Sequence, residues 1–216
     1  MQFNKKLTVW AKRPLHQKIF SLLNKIVDPV LALIEKMCGY NFCNDAPIHD
    51  PISKNHHYQK GSAVYLVKYI WEVEKKEKHN IFIDIGCGKG RLLLYAKLTK
   101  KFNKVIGIDV SNELIMTAKK NFEGTDVETY AEDATSWLLP NEKCLIYMFN
   151  PFNETILKKF LERNLNHFEN HNSTIIYHRD IYSSVLEKLG FIKNFSQYGY
   201  QTSFFKFKSL KNNSNA

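Results

Sequence analysis

Apolar positions change their rhythm near residue 80, and the change divides the chain. Before it, Ile19, Leu22, Leu23, Ile26, Val27, Val30, Leu31 and Ile34 recur at the three-and-four spacing of one helix face. Pro29 interrupts that run, and Asp28-Pro29 suits an N-cap and first turn, so the pattern predicts two helices, about 15–27 and 29–37, the second closed by Gly39. Residues 44–63, with their prolines and polar side chains, predict a loop, and a helix follows from about Ser62 to Lys78. Beyond residue 80 the apolar residues gather into short runs: IFIDI at 81–85, KVIGID at 104–109, an alternating stretch from Asp126, CLIYMF at 144–149 and TIIYH at 174–178. Helical segments separate them, among them LLLYA at 92–96, a helix from Asn112 and IYSSVLEKLG stopped by Gly190. FIKNFSQYGY and QTSFFKFK close the pattern as an antiparallel hairpin. Strands alternating with helices predict an α/β protein.

The residues that follow these strands carry the candidate chemistry. After the first comes Asp84, then Gly86, Gly88 and Gly90, a turn in which glycines permit unusual dihedrals and leave no side chain between backbone N–H groups and a ligand at the helix entrance. The dinucleotide fingerprint G-x-G-x-x-G does not fit, because Arg91 stands where its third glycine falls. Asp109 ends the second strand, where a carboxylate can accept hydrogen bonds from both hydroxyls of a ribose; the alternative is that Asp109 or Ser111 only caps the next helix. Glu132, Asp133 and Ala134 follow the third strand, and Asp133 also suits the N-cap of a short helix ending before Pro140. The fourth strand ends in Asn150-Pro151-Phe152, at a carboxyl end where open α/β sheets bind ligands.

In this order the four motifs resemble those of the class I S-adenosylmethionine (SAM)-dependent methyltransferases. More narrowly, the DxGxGKGR loop and the FNPF sequence resemble small bacterial methyltransferases distantly akin to the lysine-methylating branch. The resemblance implies a Rossmann-like α/β fold: a seven-strand sheet with helices on both faces, its last strand inserted antiparallel between the fifth and sixth. It implies that Asp84, Gly86, Cys87, Gly88, Gly90 and Arg91 surround the methionine part of SAM, that Asp109 and Val110 lie at the ribose, and that Asp133 and the Ala134 N–H face the adenine. Asn150, Pro151 and Phe152 look like a shortened form of the Asn/Asp-Pro-Pro-aromatic motif with one proline missing, in which a side-chain carbonyl and a neighbouring backbone carbonyl hold the target nitrogen. Asn150 contacting SAM, or shaping the pocket with Phe152 in the core, is the alternative. Tyr58 is the expected lid residue. The implied organisation is an N-terminal helical extension and lid loop over 1–61, a SAM-binding domain over 62–210 and a disordered tail over 211–216.

Such an enzyme transfers a methyl group from SAM, leaving S-adenosylhomocysteine, to an acceptor the sequence does not name. A nitrogen such as a protein lysine comes first, then a small molecule or cell-envelope precursor; a noncatalytic SAM-binding module and an NAD-dependent reductase are the rivals. For a hydroxyl acceptor, His178 or Asp180 would be the candidate base. Cys38, Cys43, Cys87 and Cys144 form no C-x-x-C pair, and His49, His56 and His57 near Asp45 and Asp50 match no common zinc spacing, so no metal is expected.

Charge is unevenly spread. All 21 acidic residues lie between Asp28 and Glu187, while residues 1–27 hold six basic groups and residues 188–216 hold five. The basic ends suit an acidic partner or an anionic membrane surface, with codon bias as the bland alternative, given 27 Lys, only 4 Arg and 20 Asn. The scarcity of Arg argues against specific nucleic-acid recognition. The N-terminal apolar stripe is expected to pack on the core, with a membrane-surface or partner helix as the alternative. No apolar run approaches the roughly 20 residues of a transmembrane helix. The basic start lacks a signal-peptide pattern, and cytoplasmic residence is the default expectation.

Overall fold

A computed structural model of the protein describes residues 15–42, 63–197 and 202–208. Its centre is a seven-stranded sheet of order β3-β2-β1-β4-β5-β7-β6. The strands are β1 (Ile81–Ile85), β2 (Lys104–Asp109), β3 (Val127–Ala131), β4 (Cys144–Phe149), β5 (Thr174–His178), β6 (Phe191–Gln197) and β7 (Thr202–Phe207). The first five run parallel, and β7 lies antiparallel between β5 and β6, as the resemblance implied.

Because successive side chains point to opposite faces of a strand, each buried strand feeds two cores. Ile81, Ile83 and Ile85 of β1 join Cys144, Ile146 and Met148 of β4 and Ile175 and Tyr177 of β5 on one face. They pack there against α5 (Glu154–Arg163), α6 (Leu165–His171) and α7 (Ser183–Lys188). Phe82, Leu145, Tyr147, Ile176 and Phe204 face the other way, onto α2 (Ala63–Glu74), α3 (Arg91–Leu98) and α4 (Asn112–Asn121). The apolar pattern assigns no element between Phe152 and Ser173; the structure places α5 and α6 there. Asn153 accepts a hydrogen bond from the Ile156 N–H at 3.0 Å to cap α5.

The N-terminal segment departs from expectation twice. It is one helix, α1 (Leu15–Met37), with Pro29 inside it rather than a break at Asp28. A proline in a helix interior costs about 3 kcal/mol. Here Asp28 and Glu35, two turns apart and so on one face, both bind Arg91 of α3 and hold the helix across the proline. Gly39 does close the helix: its N–H bonds the Lys36 carbonyl and the Tyr40 N–H reaches Glu35, a Schellman arrangement. The second departure is that, among the described side chains, most of the apolar stripe faces away from the core; Leu22, Ile26, Val27, Val30 and Ile34 are exposed and Leu31 is half-buried. The ion pair determines which side of the helix faces inward.

Candidate active site

The order of the sheet reverses between β1 and β4, and ligands of open α/β sheets bind outside the carboxyl ends of strands at such a point. Two loops meet there. Gly86, with φ of 80°, brings the chain after β1 so close to the chain after β4 that a Cβ on it would stand 2.8 Å from Pro151 Cβ. Gly86 and Cys87 donate their N–H groups to the Ile108 carbonyl at 2.8 and 2.9 Å, folding the loop onto β2. Gly88 (φ 56°) has, among the described residues and apart from its own chain neighbours, no atom within 4 Å of where its Cβ would stand. That open space beside the backbone is the cradle that a ligand could fill.

Two acids, Asp84 and Asp109, lie at this loop, and a third, Asp133, follows β3. Asp84 is buried, and burial first, then the neighbouring Asp109 charge, push its carboxyl up to about 8. Asp109 accepts the Gly88 N–H on Oδ2 and the Ser111 N–H on Oδ1, each at 2.9 Å, so it ties the glycine loop to the entrance of α4. Ser111, not Asp109, supplies the helix cap, accepting the Leu114 N–H. Val110 beside it is half-buried. Asp133 is exposed and accepts the Thr135 N–H at 2.8 Å, closing a turn where a short helix was the alternative expectation; Ala134 is buried beneath it. A buried carboxyl facing a second carboxylate suits a ligand with a cationic group, and SAM brings both an ammonium and a sulfonium. Its two ribose hydroxyls would find an acceptor in Asp109. The residues present therefore fit the group that the resemblance implies.

Arg91 begins α3, but its guanidinium is committed elsewhere. Nε donates to Glu35 Oε1 and Oε2 at 2.9 and 3.0 Å, and Nη2 lies 3.3 Å from Asp28 Oδ1. The Tyr95 hydroxyl donates to the same Glu35 at 2.5 Å. The guanidinium of Arg91 thus locks α1 beside the glycine loop.

On the β4 and β5 side, Asn150 is buried with a positive φ of 42°, a conformation that asparagine tolerates better than most residues. Its Oδ1 accepts a hydrogen bond from the Tyr177 hydroxyl at 2.9 Å. Phe152 sits in the core against Phe160, and Pro151 is buried over the glycine loop. His178, one strand over, is buried and held neutral, because burial, then the Arg179 charge, lowers it to about 4. Its Nδ1 is 2.5 Å from Thr202 Oγ1, which also bonds the Tyr69 hydroxyl, and its ring meets Phe149 edge-on at 4.4 Å. Asp180 is engaged by Lys193 at 3.0 Å and by Ser203.

Tyr177, Thr202 and Tyr69 are the hydrogen-bond partners around Asn150 and His178 that sequence reasoning missed. A Tyr-His pair ending a strand was the available signal, but its pairing with Asn150 depends on strand register. Tyr58, Cys43 and the His49, His56 and His57 group lie outside the described residues. Among the described residues, Cys38, Cys87 and Cys144 are free thiols and no cluster could hold a metal ion.

Comparison with known proteins finds likenesses over part of this chain. A family model described as a methyltransferase domain matches residues 82–169, the stretch that holds all four strand-end motifs. A tRNA (guanine-N(7)-)-methyltransferase of Clostridium kluyveri is 33% identical over 63 residues, 29% of this chain and 30% of that protein. A protein-lysine N-methyltransferase of Saccharolobus islandicus is 31% identical over 62 residues, 29% of this chain and 38% of that protein. The matched stretch thus spans 30% and 38% of the length of these curated relatives. Among solved structures, a SAM-dependent methyltransferase of Leishmania major superposes with a TM-score of 0.52 at 15% identity, covering 68% of this chain and 71% of that one. The methyltransferase domain of bacterial CtHen1 gives 0.51 at 18%, covering 67% and 97%. These structures share the fold.

Proposed function

We propose that this protein is a SAM-dependent methyltransferase whose acceptor atom is a nitrogen, with a protein lysine side chain as the leading case. The observation that carries the reading is the meeting of the glycine loop, Asp84 and Asp109 with Asn150-Pro151 at the reversal point of the sheet. The family match over 82–169 supports the cofactor, and the names of the two relatives described above specify a nitrogen as acceptor.

When bound, SAM would supply a methyl group on a sulfonium for in-line transfer to a nucleophile, with S-adenosylhomocysteine as the neutral leaving group. What the chain must provide is alignment and dryness, and positioning alone can lower such a barrier by roughly 7 to 11 kcal/mol. Asp84 would pair with the ammonium of the methionine part, and Asp109 would accept from the ribose hydroxyls. Asp133 and the Ala134 N–H would face the adenine. Asn150 would accept an N–H of the acceptor on the lone pair that Tyr177 leaves open, with the backbone beside Pro151 as a second acceptor, so that the nitrogen lone pair points at the methyl group. Phe149 and the neutral His178 would wall the site against water.

The test is calorimetric titration with SAM and S-adenosylhomocysteine, followed by transfer of labelled methyl groups to cell-extract proteins. Micromolar binding that Asp109→Ala removes, with label that survives alkali as N-methyl groups do and methyl esters do not, is the expected outcome. Binding of neither ligand by the native chain would sink the cofactor assignment; alkali-labile label would sink the nitrogen.

A further inference from the structure

The structure assigns to α1 a second binding surface: we propose that its outward face lies along an anionic lipid bilayer. Leu22, Ile26, Val30, Leu33, Ile34 and Met37 are each 49–79% exposed, and their spacing puts them on one stripe of the helix. The charged residues of the same stretch are sorted by side. Asp28 and Glu35, its two carboxylates, turn inward onto Arg91, with Glu35 only 4% exposed. Lys25 and Lys36, its two lysines, are exposed. They are three turns apart, so they form one row along a border of the apolar stripe.

That sorting selects the occupant. A face with an apolar stripe, a lysine border and no outward carboxylate is complementary to a surface offering apolar depth beneath negative charge. Lysines at such a border place their stems on the apolar layer and their ammonium groups among the headgroups. A second copy of this chain would bring its own lysine row to the same seam and offer no carboxylate to meet it. The sequence before Asp28 adds four basic residues beyond Lys18 and Lys25, six in all, and no acid. No helix among the described residues is long and apolar enough to cross a membrane, so α1 would rest in the interface plane. Because Arg91 grips the other side of α1, only the width of one helix, about 10–12 Å, would separate the entrance of α3 from the lipid.

Flotation of the full chain with vesicles tests this. Vesicles of phosphatidylcholine with about one third phosphatidylglycerol should bind the protein at least about tenfold more tightly than phosphatidylcholine alone, and added salt should narrow the difference. Lys25→Glu with Lys36→Glu should abolish that preference, and Ile26→Asn with Leu33→Asn should abolish binding to both vesicle types. All four positions are exposed, so the melting temperature and SAM affinity should not move. Equal binding to both vesicle types, or none, overturns the proposal. So does a dimer in light scattering that Ile26→Asn with Leu33→Asn dissolves while the native chain leaves vesicles unbound. The readout needs no methyl transfer, so failure here leaves the catalytic reading intact, and the reverse also holds.

Discussion

The two ends of the sheet both bury ionisable groups, but they treat them in opposite ways. At the amino-terminal end, Glu77 receives Lys143 at 2.7 Å, Lys206 at 2.5 Å and the Thr174 hydroxyl at 3.1 Å. His79 lies between Glu74 at 2.6 Å and Thr174 at 3.1 Å. At the carboxyl-terminal end, Asp84 is buried beside a second acid, Asp109, and its own carboxyl is driven up rather than stabilised as an anion. Paired charges clamp β1, β4, β5 and β7 together. Burial beside a second acid makes the ionised form of Asp84 costly, so its carboxyl keeps its proton, and a cationic group is what would draw that proton off. A binding site can thus be recognised by what it leaves uncompensated.

Asp84→Asn should break the contrast most strongly. The folded carboxyl holds its proton up to about pH 8, whereas an ordinary aspartate releases it near 3.8. The group therefore costs nothing below both values, costs more as pH rises between them, and reaches a plateau above pH 8. The amide should stabilise the ligand-free protein by about 2–4 kcal/mol at pH 9, with almost no effect at pH 4. It should also weaken SAM binding by roughly 100-fold, because the amide, unlike the carboxyl, cannot give up a proton to meet the ammonium. Thermal melts across pH, read beside calorimetry, check both. An unchanged affinity would remove Asp84 from the cofactor site.

Glu77→Ala should do the reverse. Burial pushes the Glu77 carboxyl up, but the hydrogen bonds from Lys143 and Lys206 more than reverse this and bring it down to about 2. Its removal leaves two partly buried ammonium groups facing each other, a loss of about 2–3 kcal/mol, with SAM affinity unmoved. Acid should act at the same place. His79 is lowered to about 3 by burial, so the neutral ring favours folding above its ordinary 6.5, and that contribution disappears as pH falls from 6.5 toward 3. Glu77 adds a loss below 4.5, its ordinary value. Chemical denaturation of Asp84→Asn, which removes the opposing gain from Asp84, should show stability falling in that order between pH 7 and 3, and adding Glu77→Ala should flatten the lower part of the curve.

The same contrast explains what the sequence disclosed. The strands were legible because contiguous apolar runs such as IFIDI and CLIYMF fit only a sheet covered on both faces, and the glycine loop was legible because its residues are adjacent. Helix α5 left a readable trace, Ile156, Leu157, Phe160 and Leu161 behind an Asn153 cap, but it follows the FNPF motif directly and went unassigned. What no pattern discloses is pairing over distance. Glu35 meets Arg91 from 56 residues away, and that contact turns the α1 stripe outward although periodicity alone suggested that it packs inward. Tyr177 reaches Asn150 only because β4 and β5 pair in one register.

The smallest predicted effect separates the two roles within one loop. Gly86 and Gly88 both have positive φ, so an alanine at either is strained by about 1–2 kcal/mol. At Gly86 the new Cβ also meets Pro151 at 2.8 Å, backbone against a rigid ring, so the β1 and β4 loops must separate and stability should fall by about 2–4 kcal/mol. At Gly88 the Cβ enters space that no atom of the described residues beyond its chain neighbours approaches within 4 Å, so only the strain remains. If that space is where the ligand passes, Gly88→Ala should cost about 1 kcal/mol of stability and yet weaken SAM binding by roughly tenfold. Paired melts and titrations of the two variants decide it: a Gly88→Ala protein that binds SAM as the native chain does would mean that the ligand lies elsewhere along the carboxyl ends of the strands.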